Sequence, residues 1–226
     1  MLKRIYFILS VCVSANLIAM FSSYYPEIVK ASRDNEVSKL KTLLNQGVDV
    51  DERSSEGYTA LMEASLHGYN EIVMLLISGG ANVNAKNSSG MTPLILTSKS
   101  YENNAKTAEI LINAGASVNE RDNAGQNALI SALTMGHADL AEYLIKHATK
   151  YISWDINIQD SFGKTALIAA AQNFFNHPGF KNIVQTLIRM GANINARDHL
   201  NMTAYQWAIK QGHQDIAELL KKYGAK

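Results

Sequence analysis

One block of residues returns along this chain in the same internal order, and that repetition limits the fold more than any other feature. Gly57-Tyr58-Thr59-Ala60-Leu61-Met62 comes back as Gly90-Met91-Thr92-Pro93-Leu94-Ile95, as Gly125-Gln126-Asn127-Ala128-Leu129-Ile130 and as Gly163-Lys164-Thr165-Ala166-Leu167-Ile168. A weaker copy is Asn201-Met202-Thr203-Ala204-Tyr205-Gln206, and the copies are spaced by 33, 35, 38 and 38 residues. A second block trails the first. Glu71 to Ile77 leads to Gly80-Ala81-Asn82-Val83-Asn84, with echoes at Glu109 to Ile112, Asp139 to Ile145, Ile183 to Ile188 and Asp215 to Leu220.

Each block has the chemistry of a helix boundary. The leading glycine suits a sharp turn that needs positive φ. The threonine two places on can accept a freed N–H at a helix start, and Pro93 stands where a first helical turn needs no donor. Gly80, Gly115, Gly191 and Gly224 follow the second apolar run, where a left-handed cap belongs. Ile72, Val73, Leu75, Leu76 and Ile77 lie at helical spacing. One helix pair cannot bury such a face by itself, so neighbouring pairs must stack.

In order and spacing the chain resembles the ankyrin-repeat family, whose unit runs glycine turn, Thr-Pro-Leu-His, helix, Gly-His, Val-x-x-Leu-Leu helix and Gly-Ala-Asp-Val-Asn. The likeness covers residues 24–226, with five clear copies and a degenerate first one in which Pro26 to Arg33 and Glu36 to Asn45 form the helices. It implies an all-α solenoid of about six helix-pair repeats joined by short β-hairpin turns. The repeats are expected at about 24–53, 54–86, 87–121, 122–159, 160–197 and 198–226.

The family's histidine is replaced by Met62, Ile95, Ile130, Ile168 and Gln206, which removes its backbone bonds and is expected to soften the turns. Extra residues enter near Tyr101-Glu102-Asn103-Asn104, near Thr149 to Trp154 and within Asn173 to Lys181. The last insert has Phe174, Phe175 and Phe180, and the one before it Trp154. Two readings stand for these rings: they fold back on their own repeats, or they make a contact site.

The first 15 residues read as a signal peptide: Lys3-Arg4, an apolar run from Ile5 to Val13, then Val13-Ser14-Ala15 as a small-x-small cleavage pattern, with cleavage as late as Ser23 also open. Three other readings remain. Leu9-Ser10-Val11-Cys12 is loosely similar to a lipoprotein signal, although Val11 is bulky there. Ile5 to Phe21 could stay as an uncleaved anchor, short against the ~20 residues of a membrane span. The segment could also be a buried first helix.

Little in the composition points to chemistry. The charge is +1, and without Lys3 and Arg4 the 21 basic residues become 19 against 20 acidic ones. That balance gives no grip on nucleic acid or anionic lipid. Cys12 is the sole cysteine, so the repeats hold no thiol nucleophile, disulfide or thiolate metal site. His137 and His213 follow glycines as the family's Gly-His pair does, His67 precedes one, and His177 and His199 fall in loops. No two histidines have metal-binding helical spacing. No nucleophile elbow or phosphate loop is present. No catalytic residue, cofactor or metal is expected, and no enzyme; an active site within the inserts is the rival from that class.

By resemblance, the hairpin tips and first helices line a concave face that holds a partner protein. The implied contact residues are Ser55, Glu56 and Tyr58; Ser88, Ser89 and Met91; Asn123 and Gln126; Ser161, Phe162 and Lys164; and His199, Leu200 and Met202. Of these Phe162, Leu200, Met91 and Met202 say most, because apolar tips are costly unless something covers them. A leader followed by repeats resembles the periplasmic ankyrin proteins of Gram-negative bacteria, some linked to peroxide resistance and others immunity proteins. The expectation is an exported monomer, periplasmic or secreted, that binds a protein. A secreted effector acting on host proteins and a structural subunit of an envelope complex are the alternatives.

Overall fold

A computed structural model describes residues 24–102, 104–148, 155–173 and 178–226. Residues 1–23, which hold the expected signal peptide at 1–15, and the 149–154 insert lie outside the described residues. Within them are twelve helices in six antiparallel pairs, with no strand. The pairs are α1 (Glu27–Arg33) with α2 (Val37–Asn45), α3 (Ala60–His67) with α4 (Asn70–Ser78), and α5 (Pro93–Lys99) with α6 (Ala105–Asn113). They continue as α7 (Ala128–Met135) with α8 (Ala138–Ala148), α9 (Ala166–Gln172) with α10 (Gly179–Arg189), and α11 (Ala204–Gln211) with α12 (Gln214–Lys222).

Local chemistry starts each first helix. The side-chain oxygens of Thr59, Thr92, Asn127, Thr165 and Thr203 accept the N–H three residues on, at 2.9–3.3 Å. Each such cap contributes about 1 kcal/mol. Gln206 also turns back to accept the Thr203 N–H at 2.9 Å. Helices α3, α7 and α11 end on left-handed Gly68, Gly136 and Gly212. Helices α5 and α9 end instead on extended Ser100 and Asn173, where two of the inserts leave the regular path.

The pairs stack through one continuous core. Ile28, Leu40, Leu61, Ile72, Leu76, Leu94, Leu111, Ile130, Leu133, Leu167, Val184 and Leu187 belong to it, all at most 4% exposed. Burying a side chain of that size stabilises by about 1.5–3 kcal/mol. First helices pack more closely on one another than second helices do. The stack therefore curves toward the first-helix row, which forms its inner face.

Hairpins between the pairs are joined without a sheet. At the head of each loop a side-chain oxygen closes the turn. The Oδ1 of Asn87, Asp122, Asp160 and Asp198 accepts two N–H groups, two and four residues on, at 2.9–3.0 Å. Ser54 Oγ does so once, for Tyr58 N–H. The turns expected to soften without histidine are held by this oxygen instead. Neighbouring hairpins share one backbone bond per step: Ser55 to Tyr24, Ser88 to Glu56, Asn123 to Ser89, Ser161 to Ala124, and His199 to Phe162, at 2.8–3.1 Å.

Close approach makes glycine obligatory at Gly163. Its φ is +76°, and a Cβ there would stand 2.9 Å from His199 N and 3.0 Å from the Asp198 Cα. A second polar column braces the other edge. Arg53 donates to the carbonyls of Gly57 and Lys86, Arg121 to those of Gly125 and Gln159, and Gln159 to those of Gly163 and Arg197.

Asp160 is engaged through both oxygens, since its Oδ2 also accepts the Gln126 amide at 3.1 Å. Asp160→Ala is expected to cost about 2 kcal/mol, a fall in Tm of roughly 4–8 °C, while Asp160→Asn keeps most of the stability. Thermal unfolding of the two variants beside the parent checks this.

Candidate functional site

The hairpin lock decides which of the expected contact residues face outward. Between the locking oxygen and the turn each loop carries two residues, all of them exposed except Ala124, which is half-buried. Ser55, Glu56, Ser88, Ser89, Asn123, Ser161, Phe162, His199 and Leu200 are all exposed there. Phe162 is 60% and Leu200 70% exposed. They occupy the same place in adjacent hairpins, whose backbones are bonded from His199 N–H to Phe162 O. The two apolar side chains thus sit on neighbouring tips.

Residues just past the turn behave differently. Tyr58, Met91, Gln126, Lys164 and Met202 are half-buried. Tyr58 and Met91 pack on a small cluster of Met62, Ala85 and Leu96, and Met91 and Met202 also touch the main core. Gln126 accepts from Lys99 Nζ at 3.0 Å and donates to Asp160, so its amide is engaged inside the stack. Asn123 lends its amide to Ser88 O at 3.1 Å. The structure therefore separates projecting tips from positions that also support the stack, a division that spacing alone does not make.

The inner face holds one feature that sequence reasoning missed. Four carboxylates are less than a tenth exposed: Glu63, Asp122, Asp160 and Asp198. Asp122 meets Lys99 Nζ at 3.1 Å, Asp160 the Gln126 amide, and Asp198 the Trp207 indole N–H at 2.7 Å. Glu63, on α3, is 4% exposed, and His67 Nε2 lies 3.8 Å from its carboxyl, beyond hydrogen-bond range. Burial pushes its pKa upward, Arg33 pulls it back, and Asp34 and Glu56 push it up further. The phenols of Tyr25 and Tyr58 are raised chiefly by their own burial and then by the Glu63 and Glu56 charges. An acid in a helical run reads as surface by default, and only three-dimensional placement shows it buried.

Two histidines close the stack. His137 Nε2 lies 2.8 Å from Ser100 O, and His213 Nδ1 3.1 Å from Ala171 O. Both satisfy carbonyls at the end of the preceding first helix. Phe180 is 2% exposed and belongs to the core, so that ring folds back on its own repeat. Trp154, Phe174, Phe175 and His177 lie outside the described residues. Tyr101, in the first insert, is 99% exposed. Among the described residues no group of three or more His, Cys, Asp or Glu could hold a metal ion, and no helix is long and apolar enough to cross a membrane.

Comparison with known proteins agrees with this architecture. The family model for ankyrin repeats, in three copies, matches residues 28–122, 80–155, 100–198 and 148–226. The putative ankyrin repeat protein YahD of Escherichia coli is 28% identical over 197 residues, covering 86% of this chain and 94% of that one. The human SH3 and multiple ankyrin repeat domains protein 2 is 28% identical over 88% of this chain, which spans 10% of its length. A solved chain superposes with a TM-score of 0.71 and 27% identity, covering 88% of this chain and 98% of the other. It belongs to the complex of the Bd0816 predatory endopeptidase from Bdellovibrio bacteriovorus with the immunity protein Bd3460.

Glu63 gives a pH signature. A carboxyl whose folded pKa is raised keeps its proton over a range where the unfolded chain has lost it, so stability falls as pH rises through that range. Glu63→Gln removes the effect. The variant is expected to have the higher Tm at pH 7, with the gap closing as pH falls below the ordinary glutamate value of 4.5. Melting curves from pH 3.5 to pH 7.5 measure it; a gap that does not vary with pH would contradict the assignment.

Proposed function

Because the chain belongs to the ankyrin-repeat family, we propose that it is an exported scaffold that holds a partner protein against its inner face and hairpin tips, acting as a periplasmic protective or immunity protein. The observation that carries the binding surface is the pair Phe162 and Leu200. Two large apolar side chains on adjacent, locked tips have an energetic reason to be covered. Repeats of this family imply a protein partner. The structural likeness to a chain from an endopeptidase–immunity protein complex supports the immunity reading. The basic start and apolar run before Ala15 support export.

Locked tips also favour binding energetically. A surface already ordered loses little conformational freedom on association, so more of the contact energy appears as affinity. The exposed Ser55, Ser88, Ser89, Asn123, Ser161 and His199 then continue the row of tips as polar positions, with exposed Glu56 and half-buried Lys164 as charged members.

Affinity capture from the native host tests the proposal, using the mature protein and a Phe162→Ala, Leu200→Ala form as baits. One protein retained by the parent and reduced at least tenfold on the double variant is expected. Both substitutions are at exposed sites, so Tm should stay within about 2 °C. Equal recovery on the two baits would contradict the tip site. Cell fractionation finding the protein in the cytoplasm would contradict export.

A further inference from the structure

We propose that the C-terminal end of the stack binds an aspartate-bearing turn of the partner protein, taken up as the stack takes up each of its own hairpins. The inference rests on the scaffold reading and names the chemistry that one surface would recognise. Every hairpin docks on the one before it through the same two bonds. A side chain of the earlier repeat donates to an incoming carbonyl, and an earlier tip carbonyl accepts the incoming N–H two residues on. Arg53 takes Lys86 O at 2.7 Å while Glu56 O takes the Ser88 N–H at 3.1 Å. Lys86 and Ser89 O do the same for Arg121 and Asn123, Arg121 and Ala124 O for Gln159 and Ser161, and Gln159 and Phe162 O for Arg197 and His199. The residue between the two bonds is the locking Asn or Asp.

At the last repeat the receiving groups are in place and nothing among the described residues meets them. Arg197 Nη1 donates to Asn201 O at 2.7 Å, as Arg121 Nε does to Gly125 O, but takes no carbonyl from a following hairpin. Leu200 O stands where Glu56 O, Ser89 O, Ala124 O and Phe162 O stand, and it accepts no N–H. Lys210 completes the set. It lies as far past its capping Thr203 as Lys99 does past Thr92. Lys99 Nζ reaches forward to the locking Asp122 at 3.1 Å. Lys210 has no carboxylate ahead of it, and its Nζ rests 4.6 Å from the Trp207 ring centroid.

The surface beside these groups is apolar where an end repeat ordinarily needs a polar face to stay soluble. Ile209 is 50% exposed, while its counterparts Ser65, Ser98, Leu133 and Ala171 are all 0% exposed between repeats. Tyr205 is half-buried where Leu61, Leu94, Leu129 and Leu167 are buried. Charge selects the occupant. Among the exposed charges of residues 197–226 the basic ones, Arg197, Lys210, Lys221, Lys222 and Lys226, outnumber the acidic. A second copy fits poorly. Tail to tail, these like charges would face each other. The opposite end of the stack holds Glu27, Lys30, Glu36 and Lys39 in ion pairs of their own. An acidic turn of a partner meets all three groups: a carbonyl for Arg197, an aspartate for Lys210 and an N–H for Leu200 O. Aspartate also closes such a turn by itself.

The chain's own turn supplies the probe: a disulfide-cyclised peptide carrying Gln-Asp-Ser-Phe-Gly-Lys, the sequence of residues 159–164, and a counterpart with alanine for the aspartate. Each is titrated into the isotope-labelled protein and followed by NMR amide shifts, which detect weak binding. Shifts are expected at Arg197 to Met202 and around Ile209, with the alanine peptide bound about fivefold more weakly. Lys210→Met, an exposed substitution checked by its melting curve, should bind the two peptides alike. No shifts in the last repeat, or an aspartate preference that survives Lys210→Met, would overturn the assignment. Self-association through this end in the absence of peptide would overturn it too, in favour of a second copy. The scaffold reading is judged apart, by the host capture: a protein lost on the tip variant but retained by Lys210→Met would sink the end site alone.

Discussion

One side-chain oxygen at the head of each hairpin holds the stack in register. Asn87, Asp122, Asp160 and Asp198 each close their turn by accepting two backbone N–H groups. That closure aims the next backbone N–H at a carbonyl of the preceding hairpin. It also sets where the capped first helix begins, and with it the angle at which each pair meets its neighbour. The apolar core supplies most of the stabilisation, but hydrophobic contact has no direction. The hairpin oxygens provide the direction.

The same feature links fold to function. A loop lifted two residues into solvent would ordinarily be mobile. Here both residues are tethered from within, so Phe162 and Leu200 are presented at fixed places on a fixed backbone. The inner face adds a buried carboxyl, Glu63, whose pKa is raised chiefly by its burial. Exposed apolar tips of this kind are suited to supply contact area to a partner. The stack itself needs neither group: its core and its turns are complete without them.

Much of this was legible in the residues. The glycine-led blocks, the threonine caps and the period placed the helix pairs, because each signal is local and recurs along the chain. The exposed tips followed from the family's geometry. What escaped was the depth of individual side chains. Met91, Met202 and Gln126 occupy tip columns yet pack or bond inward, for reasons that depend on the neighbouring repeat. Asp122, Asp160 and Asp198, three places before their turns, carry an available signal, since aspartate there favours an Asx turn. Glu63 carries none. Helical spacing marks an acid in the first turn as favourable to the dipole, and its burial appears only once α3 is packed between its neighbours. Phe180 reads as a loop aromatic because the insert hides the start of α10.

The claim that the hairpins are locked before any partner arrives is tested most directly by amide hydrogen exchange on the free protein. The N–H groups of Ala124, Gln126, Phe162, Lys164, Leu200 and Met202, all held by an aspartate oxygen, should exchange as slowly as those of the helices they join. Exchange at the rate of an unstructured chain, with the helices still protected, would contradict the account. The tips would then be ordered only by what they bind.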